Sequence, residues 1–179
     1  PAEYIGAIDN MELLSKFVEQ MIISGFPAKY IMLNSYLIAD DKLKGSGKNG
    51  NENAPIWGHS RLVFIPENDS VVHKIGLSAE GAECNKQEEN VYNLFKSVGE
   101  DSILAPIKWI SANKYCLDMV KADKCKDPQS AIGEIGNKVY AIIQKINKKN
   151  KTHFSYLRDL HKENIGEING KPVLIDYAM

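Results

Sequence analysis

Apolar positions recur along this chain in two rhythms, and each predicts one kind of element. At helical spacing, Leu13, Leu14, Phe17, Val18, Met21 and Ile22 share one face of a helix that Asn10 can cap and Gly25 can stop. The same period returns within residues 85–96, where Glu88, Val91, Tyr92 and Phe95 fall at i, i+3, i+4 and i+7. It returns again in Ile132, Ile135, Val139, Ile142 and Ile146, with Asp127-Pro128 ahead of it as a cap and first-turn signature. Residues 28–39 follow Pro27, carry Tyr30, Ile31, Leu33, Leu37 and Ile38, and fit either a helix or a segment ending in a strand.

The second rhythm is the short run rich in β-branched residues. Residues 62–65 and 71–75, joined by a turn over 66–70, predict one hairpin. Residues 102–110 and 115–120 predict two more strands around the turn Ala112-Asn113-Lys114. Asn169-Gly170 between the apolar runs 165–168 and 173–175 is the clearest hairpin signal. That turn pairs Ile168 with Lys171 and sets Asn164 opposite Ile175, so Asn164 and Asp176 emerge together at the open end of the ladder. Two hard oxygen donors there, with Asp159 just upstream, suit Mg2+, which takes a few protein oxygens and fills its shell with water and phosphate. A solvated hairpin with polar ends is the alternative.

Two charges interrupt these patterns. Where Val71, His73 and Ile75 face one way, Lys74 faces the other with Val72, against an apolar sheet face, and needs an anion. An exposed strand lysine is the alternative. Glu88 lies on the inward face of its helix and must be paired, whereas Glu89 points about 100° away. Lys74 with Glu88 is therefore a candidate ion pair.

Composition narrows the classes. A chain of 179 residues, 44% apolar and of net charge -1, can build one core or a small two-lobed domain, and it lacks the charge excess of a nucleic-acid or membrane-surface binder. Cys84, Cys116 and Cys125 are odd in number and without metal-ligand spacing, as in reduced cytosolic thiols. No signal peptide and no run of about 18 apolar residues is present, so a soluble cytoplasmic protein is expected. Residues 40–55 are rich in Gly, Asn, Lys and Asp and read as a loop; Gly45-x-Gly47-x-x-Gly50 within it fits a phosphate-cradling turn or a flexible linker. The Lys-rich run 145–151 reads as a solvated helix end, with RNA or phosphate binding as the alternative. His59, His73, His153 and His161 form no cluster, and His161 reads as a loop-packing or phosphate-neighbouring group.

Several of these motifs resemble protein kinases in order and spacing. Asp159-Leu160-x-x-x-Asn164 resembles the kinase catalytic loop, and Asp159-Leu160-His161 the same loop of aminoglycoside phosphotransferases. Asp176-Tyr177-Ala178 sits where the metal-binding D-F-G is expected, Lys74 resembles the lysine of V-A-I-K, and the E-x-x-V-Y-x-x-F setting of Glu88 resembles the C-helix. G-x-S-R-x-V-F, V-x-K-I and N-x-x-E together resemble small kinase-like proteins encoded by bacteriophages, over residues 57–179. The resemblance implies that Asp159 orients the acceptor hydroxyl and that Asn164 and Asp176 hold Mg2+. It further implies that Lys74, partnered by Glu88, holds the ATP phosphates, and that Met119 and Val120 belong to the hinge that receives adenine. Gly58 matches the central glycine of the nucleotide loop, with Arg61 at the place of its last glycine.

Departures accompany the matches. Leu157 replaces the kinase histidine, Ala178 replaces the last glycine of the metal triplet, and no activation segment or peptide-binding platform follows. The acceptor is then recognised by the amino-terminal helices and loop, or a partner protein completes the lobe, or the fold is kept for binding alone. The expectation is an α+β kinase-like domain at 56–179, with a small antiparallel sheet lobe (56–123) and a reduced helical lobe (124–179). A helical extension (1–40) and a loop (41–55) precede it. The expected function is ATP- and Mg2+-dependent phosphoryl transfer to a protein or small hydroxyl acceptor. The alternative is a weak or inactive kinase-like binding module, such as a phage protein that inhibits a host protein.

Overall fold

The computed structural model describes residues 11–26, 56–57, 60–64, 70–152, 154 and 160–177. The expected segment 28–39, the 40–55 loop with its glycines, Gly58, His59, most of the 66–70 turn, His153, Leu157, Arg158, Asp159 and Ala178 lie outside the described residues. Among the described residues the fold is α+β, with helices and two small sheets, and the chain divides into two compact units.

The first unit comprises residues 1–86 and 108–119. It is built on a five-stranded sheet of order β1-β2-β3-β5-β4, from β1 (Ile56–Trp57), β2 (Arg61–Phe64), β3 (Val71–Gly76), β4 (Ile107–Ile110) and β5 (Cys116–Val120). Helix α1 (Met11–Ile23) buries Leu14 and Val18, four residues apart, against Leu62, Ile75, Leu77, Tyr115 and Cys116. Gly25, at φ +75°, ends it as expected. Leu62 pairs with Ile75 and Val63 with Lys74, and directly opposed residues share a face. Lys74 therefore lies on the side of β3 away from α1, as its alternation predicts.

Helix α2 (Ala79–Ser97) starts well ahead of the expected residue 85. Ser78 Oγ caps it by accepting from Gly81 N at 3.2 Å. Its first turns escape an apolar-stripe search because Gly81 and Asn85 are the residues buried there. Gly81 is required by close approach: a Cβ would collide with the Ser60 carbonyl and lie 2.8 Å from Gly76 Cα.

The second unit comprises residues 87–107 and 120–179. Asp127 caps α3 (Pro128–Asn150), accepting from Ser130 N at 3.1 Å, and Pro128 opens the helix. Its buried stripe is Ala131, Ile135, Val139, Ile142, Ile143 and Ile146, with Ile132 only half-buried. Lys145 Nζ donates to Val98 O (3.0 Å) and Glu100 Oε1 (2.8 Å), and Lys149 Nζ donates to Ser97 O. These two lysines of the basic run thus serve the carboxyl end of α2.

A three-stranded sheet of order β6-β7-β8 completes this unit, from β6 (Asp123–Lys124), β7 (Ile165–Ile168) and β8 (Lys171–Leu174). Asn169 and Gly170 form the β7–β8 turn at φ +52° and +72°, both left-handed as a type I′ turn demands. Ile168 pairs with Lys171, and Ile175 N donates to Asn164 O at 2.9 Å. The strand expected over 102–110 is divided. A 3-10 helix (Asp101–Ile103) comes first, Leu104 bridges Leu174, Ala105 N donates to Leu174 O, and β4 begins only at Ile107. Pro106, which has no N–H, separates the two pairings. Among the described residues no helix is long and apolar enough to cross a membrane.

Candidate functional site

In the first unit Lys74 sits on β3, in the middle of its sheet, and is 3% exposed. The backbone beneath it is fixed by Asn85, wholly buried, which donates to Lys114 O (2.8 Å) and Lys74 O (3.5 Å) and accepts from Arg61 Nη1 (3.3 Å). An amide on α2 thereby ties together β2, β3 and the β4–β5 turn. Met119, one of the two hinge residues named from sequence, is buried on β5.

The opposite side of that sheet holds a pair the sequence did not reveal. His73 Nδ1 lies 2.6 Å from Asp118 Oδ1, joining β3 to β5 across a long sequence gap. Cys116 on the same strand as Asp118 is driven upward in pKa, first by burial and then by the Asp118 and Glu12 charges. Its thiol is held protonated and carries no nucleophile chemistry.

In the second unit Glu88, Val91 and Phe95 are each fully buried on α2, the inward face that helical spacing predicts. Tyr92 is half-buried and donates to Asp101 Oδ2 at 3.4 Å. Tyr177 is 1% exposed and donates its hydroxyl to Ala105 O at 2.8 Å. Its pKa is raised well above 10.0 by burial first, and then by Glu88, Tyr92 and Asp176. Glu88, Asp176 and Tyr177 therefore share one neighbourhood.

Asn164 ends a 3-10 helix (Lys162–Asn164) that His161 caps, its Nδ1 accepting from Glu163 N at 3.3 Å. This gives His161 a loop-packing role. Asn164 is buried, and its carbonyl holds Ile175, so Asn164 and Asp176 stand at one end of the β7–β8 ladder. Val120 N donates to Pro106 O at 2.8 Å.

Of the residues singled out from sequence, Lys74 and Met119 belong to the first unit and Glu88, Val120, Asn164 and Asp176 to the second. Among the described residues no group of three His, Cys, Asp or Glu gathers as a self-sufficient metal centre. One carboxylate and one carboxamide at a ladder end nevertheless fit Mg2+, which needs few protein oxygens. They do not fit zinc, which prefers nitrogen and sulfur. Two surface depressions of the second unit, about 400 and 530 Å3, meet at Lys145, and neither is lined by any of these residues. The hydrogen bond from Tyr177 to Ala105 was not anticipated from sequence, although an aromatic directly after Asp176 was a signal in plain view. No protein-family model matches this sequence, and no curated protein matches it.

Proposed function

We propose that this chain is a phosphotransferase of the protein-kinase-like kind, using ATP and Mg2+ to phosphorylate a protein or small hydroxyl acceptor. The observation that carries the reading is a pair of buried charges on consecutive elements: Lys74 on β3 is 3% exposed and Glu88 on α2 is 0% exposed. Burying a charge costs several kcal/mol, on the order given for single ions after relaxation, so such residues are kept for a partner or a ligand. Their order along the chain is the one the kinase resemblance requires.

In this reading Lys74 holds the nucleotide phosphates, and Glu88 keeps the counter-charge role that the resemblance implies. Asn164 and Asp176 are the residues that hold Mg2+, Asp159 orients the acceptor hydroxyl, and Met119 and Val120 border the adenine. Mg2+, when bound, supplies neutralisation of the phosphate charge. The remaining contribution of the chain is positioning, since phosphoryl transfer asks little covalent chemistry of the protein.

Calorimetric titration of ATP, with and without Mg2+, tests this on the parent, Asp176→Ala and Lys74→Met. Binding that requires Mg2+, is lost in Asp176→Ala and is weakened in Lys74→Met is expected. Absence of ATP binding in the parent would sink the phosphotransferase reading and favour a kinase-like module that binds and inhibits a host protein.

A further inference from the structure

The stretch that carries Asp176 is closed at both ends on one residue. Ala105 donates its N–H to Leu174 O and accepts the Tyr177 hydroxyl on its own carbonyl, each at 2.8 Å. Between these ties, Ile175 N donates to Asn164 O at 2.9 Å. Asp176 thus lies inside a short loop clamped before and after it and pinned at its neighbour.

A phenol that is 1% exposed needs a hydrogen-bond partner, and the Ala105 carbonyl supplies it. Phenylalanine would fill the same space without closing the loop. A site residue must be held to within about 0.5 Å by groups that are themselves fixed. We infer that the Tyr177 hydroxyl is a positioning group for Asp176, holding it in the attitude in which it receives a divalent cation. The cation rests on the phosphotransferase reading; the clamp does not.

Tyr177→Phe tests it in two arms, with Val139→Ala as a control for lost stability. In the first arm, amide hydrogen exchange is followed on the ligand-free protein. Faster exchange at residues 175–177 in Tyr177→Phe, with the rest of the β7–β8 hairpin unchanged, is expected. Unchanged exchange there means that the hydroxyl closes nothing, and the inference falls. In the second arm, the Mg2+ concentration needed for ATP binding is measured. The loss of one buried hydrogen bond corresponds to about a three- to tenfold rise in Tyr177→Phe. The control's Mg2+ requirement should not change. An unaltered Mg2+ requirement overturns the positioning role while leaving the phosphotransferase reading intact. A parent without Mg2+-dependent binding removes that reading and the cation role with it, and the exchange arm alone then decides whether the clamp exists.

Discussion

The two long helices bury their inner faces in opposite ways. α3 turns in Ala131, Ile135, Val139, Ile142, Ile143 and Ile146, without one polar group among them. α2 turns in Gly81, Asn85 and Glu88 before it reaches Val91 and Phe95. An apolar stripe gains about 25 cal/mol for each Å2 removed from water, so α3 is held by burial. The first half of α2 has almost none of that gain. It depends on the Ser78 cap, on the Asn85 hydrogen bonds and on close backbone packing at Gly81. A helix that gives up apolar burial for a carboxylate and an amide is where chemistry is to be sought, and the plain stripe of α3 marks a scaffold.

The largest effects should come from the apolar residues. Ile146→Ala in α3 is expected to cost about 2–5 kcal/mol, and Phe95→Ala in the apolar half of α2 about 3–5 kcal/mol. Urea unfolding with an unchanged slope would check both. A cost below about 1 kcal/mol for Ile146→Ala would mean that the stripe does not hold α3, and the contrast would fail at its simpler end.

The polar half of α2 sharpens the contrast. Asn85→Ala leaves the Lys114 carbonyl and the Arg61 guanidinium each short of a bond, for an expected loss of about 1–3 kcal/mol in the same experiment. Glu88→Gln keeps shape and removes a fully buried charge. It should weaken Mg2+-dependent ATP binding, because in the phosphotransferase reading Lys74 then loses its counter-charge. Full nucleotide affinity in Glu88→Gln together with a large stability loss would make Glu88 structural.

This contrast also explains what the sequence disclosed. The β7–β8 hairpin was fully legible because Asn169-Gly170 encodes its turn within two residues, and register then follows by counting. α3 was legible because a stripe repeats locally, and so was α2 from Glu88 onward. The first turns of α2 were not, since Gly81 is buried by close packing and Asn85 by hydrogen bonds, neither of which leaves a periodic mark. The division of 102–110 was signalled by Pro106, but choosing which carbonyl Ala105 would bond required knowing where Leu174 lies. His73–Asp118 and Ala105–Tyr177 are likewise contacts between distant segments, and a single sequence holds no local trace of such pairs. At the candidate site, the residue types and their order were legible, whereas the clamp around Asp176 was not.

Alkaline pH should weaken both units. Burial raises the folded-state pKa of Cys116 in the first unit and of Tyr177 in the second above their ordinary 9.0 and 10.0. In each case the neutral form is favoured by folding. Their contributions are therefore complete below those ordinary values and decline as pH rises through them toward the folded values. Stability should fall above about pH 9; Cys116→Ala should reduce the earlier part of that fall, which it shares with Cys125, and should leave the later part, set by Tyr177 with Tyr92 and Tyr115. A profile flat to pH 11, about one unit above ordinary tyrosine, would contradict both shifts.

The smallest effect is expected where the two helices meet a shared need. Carbonyls at the carboxyl end of α2 have no partner within the helix, and the negative end of its dipole favours cations. Lys145 and Lys149 supply them at Val98 and Ser97, with Glu100 as a second partner for Lys145. The Lys145 side chain is 53% exposed, so water and salt screen most of the attraction. Lys145→Met and Lys149→Met should each cost about 0.3–1 kcal/mol, less at high salt. A loss confined to low ionic strength would identify the basic run as a clamp on α2. If stability is untouched at every salt concentration while binding of a short single-stranded RNA is lost, the lysines serve an external anion instead, and α3 would cease to be scaffold alone.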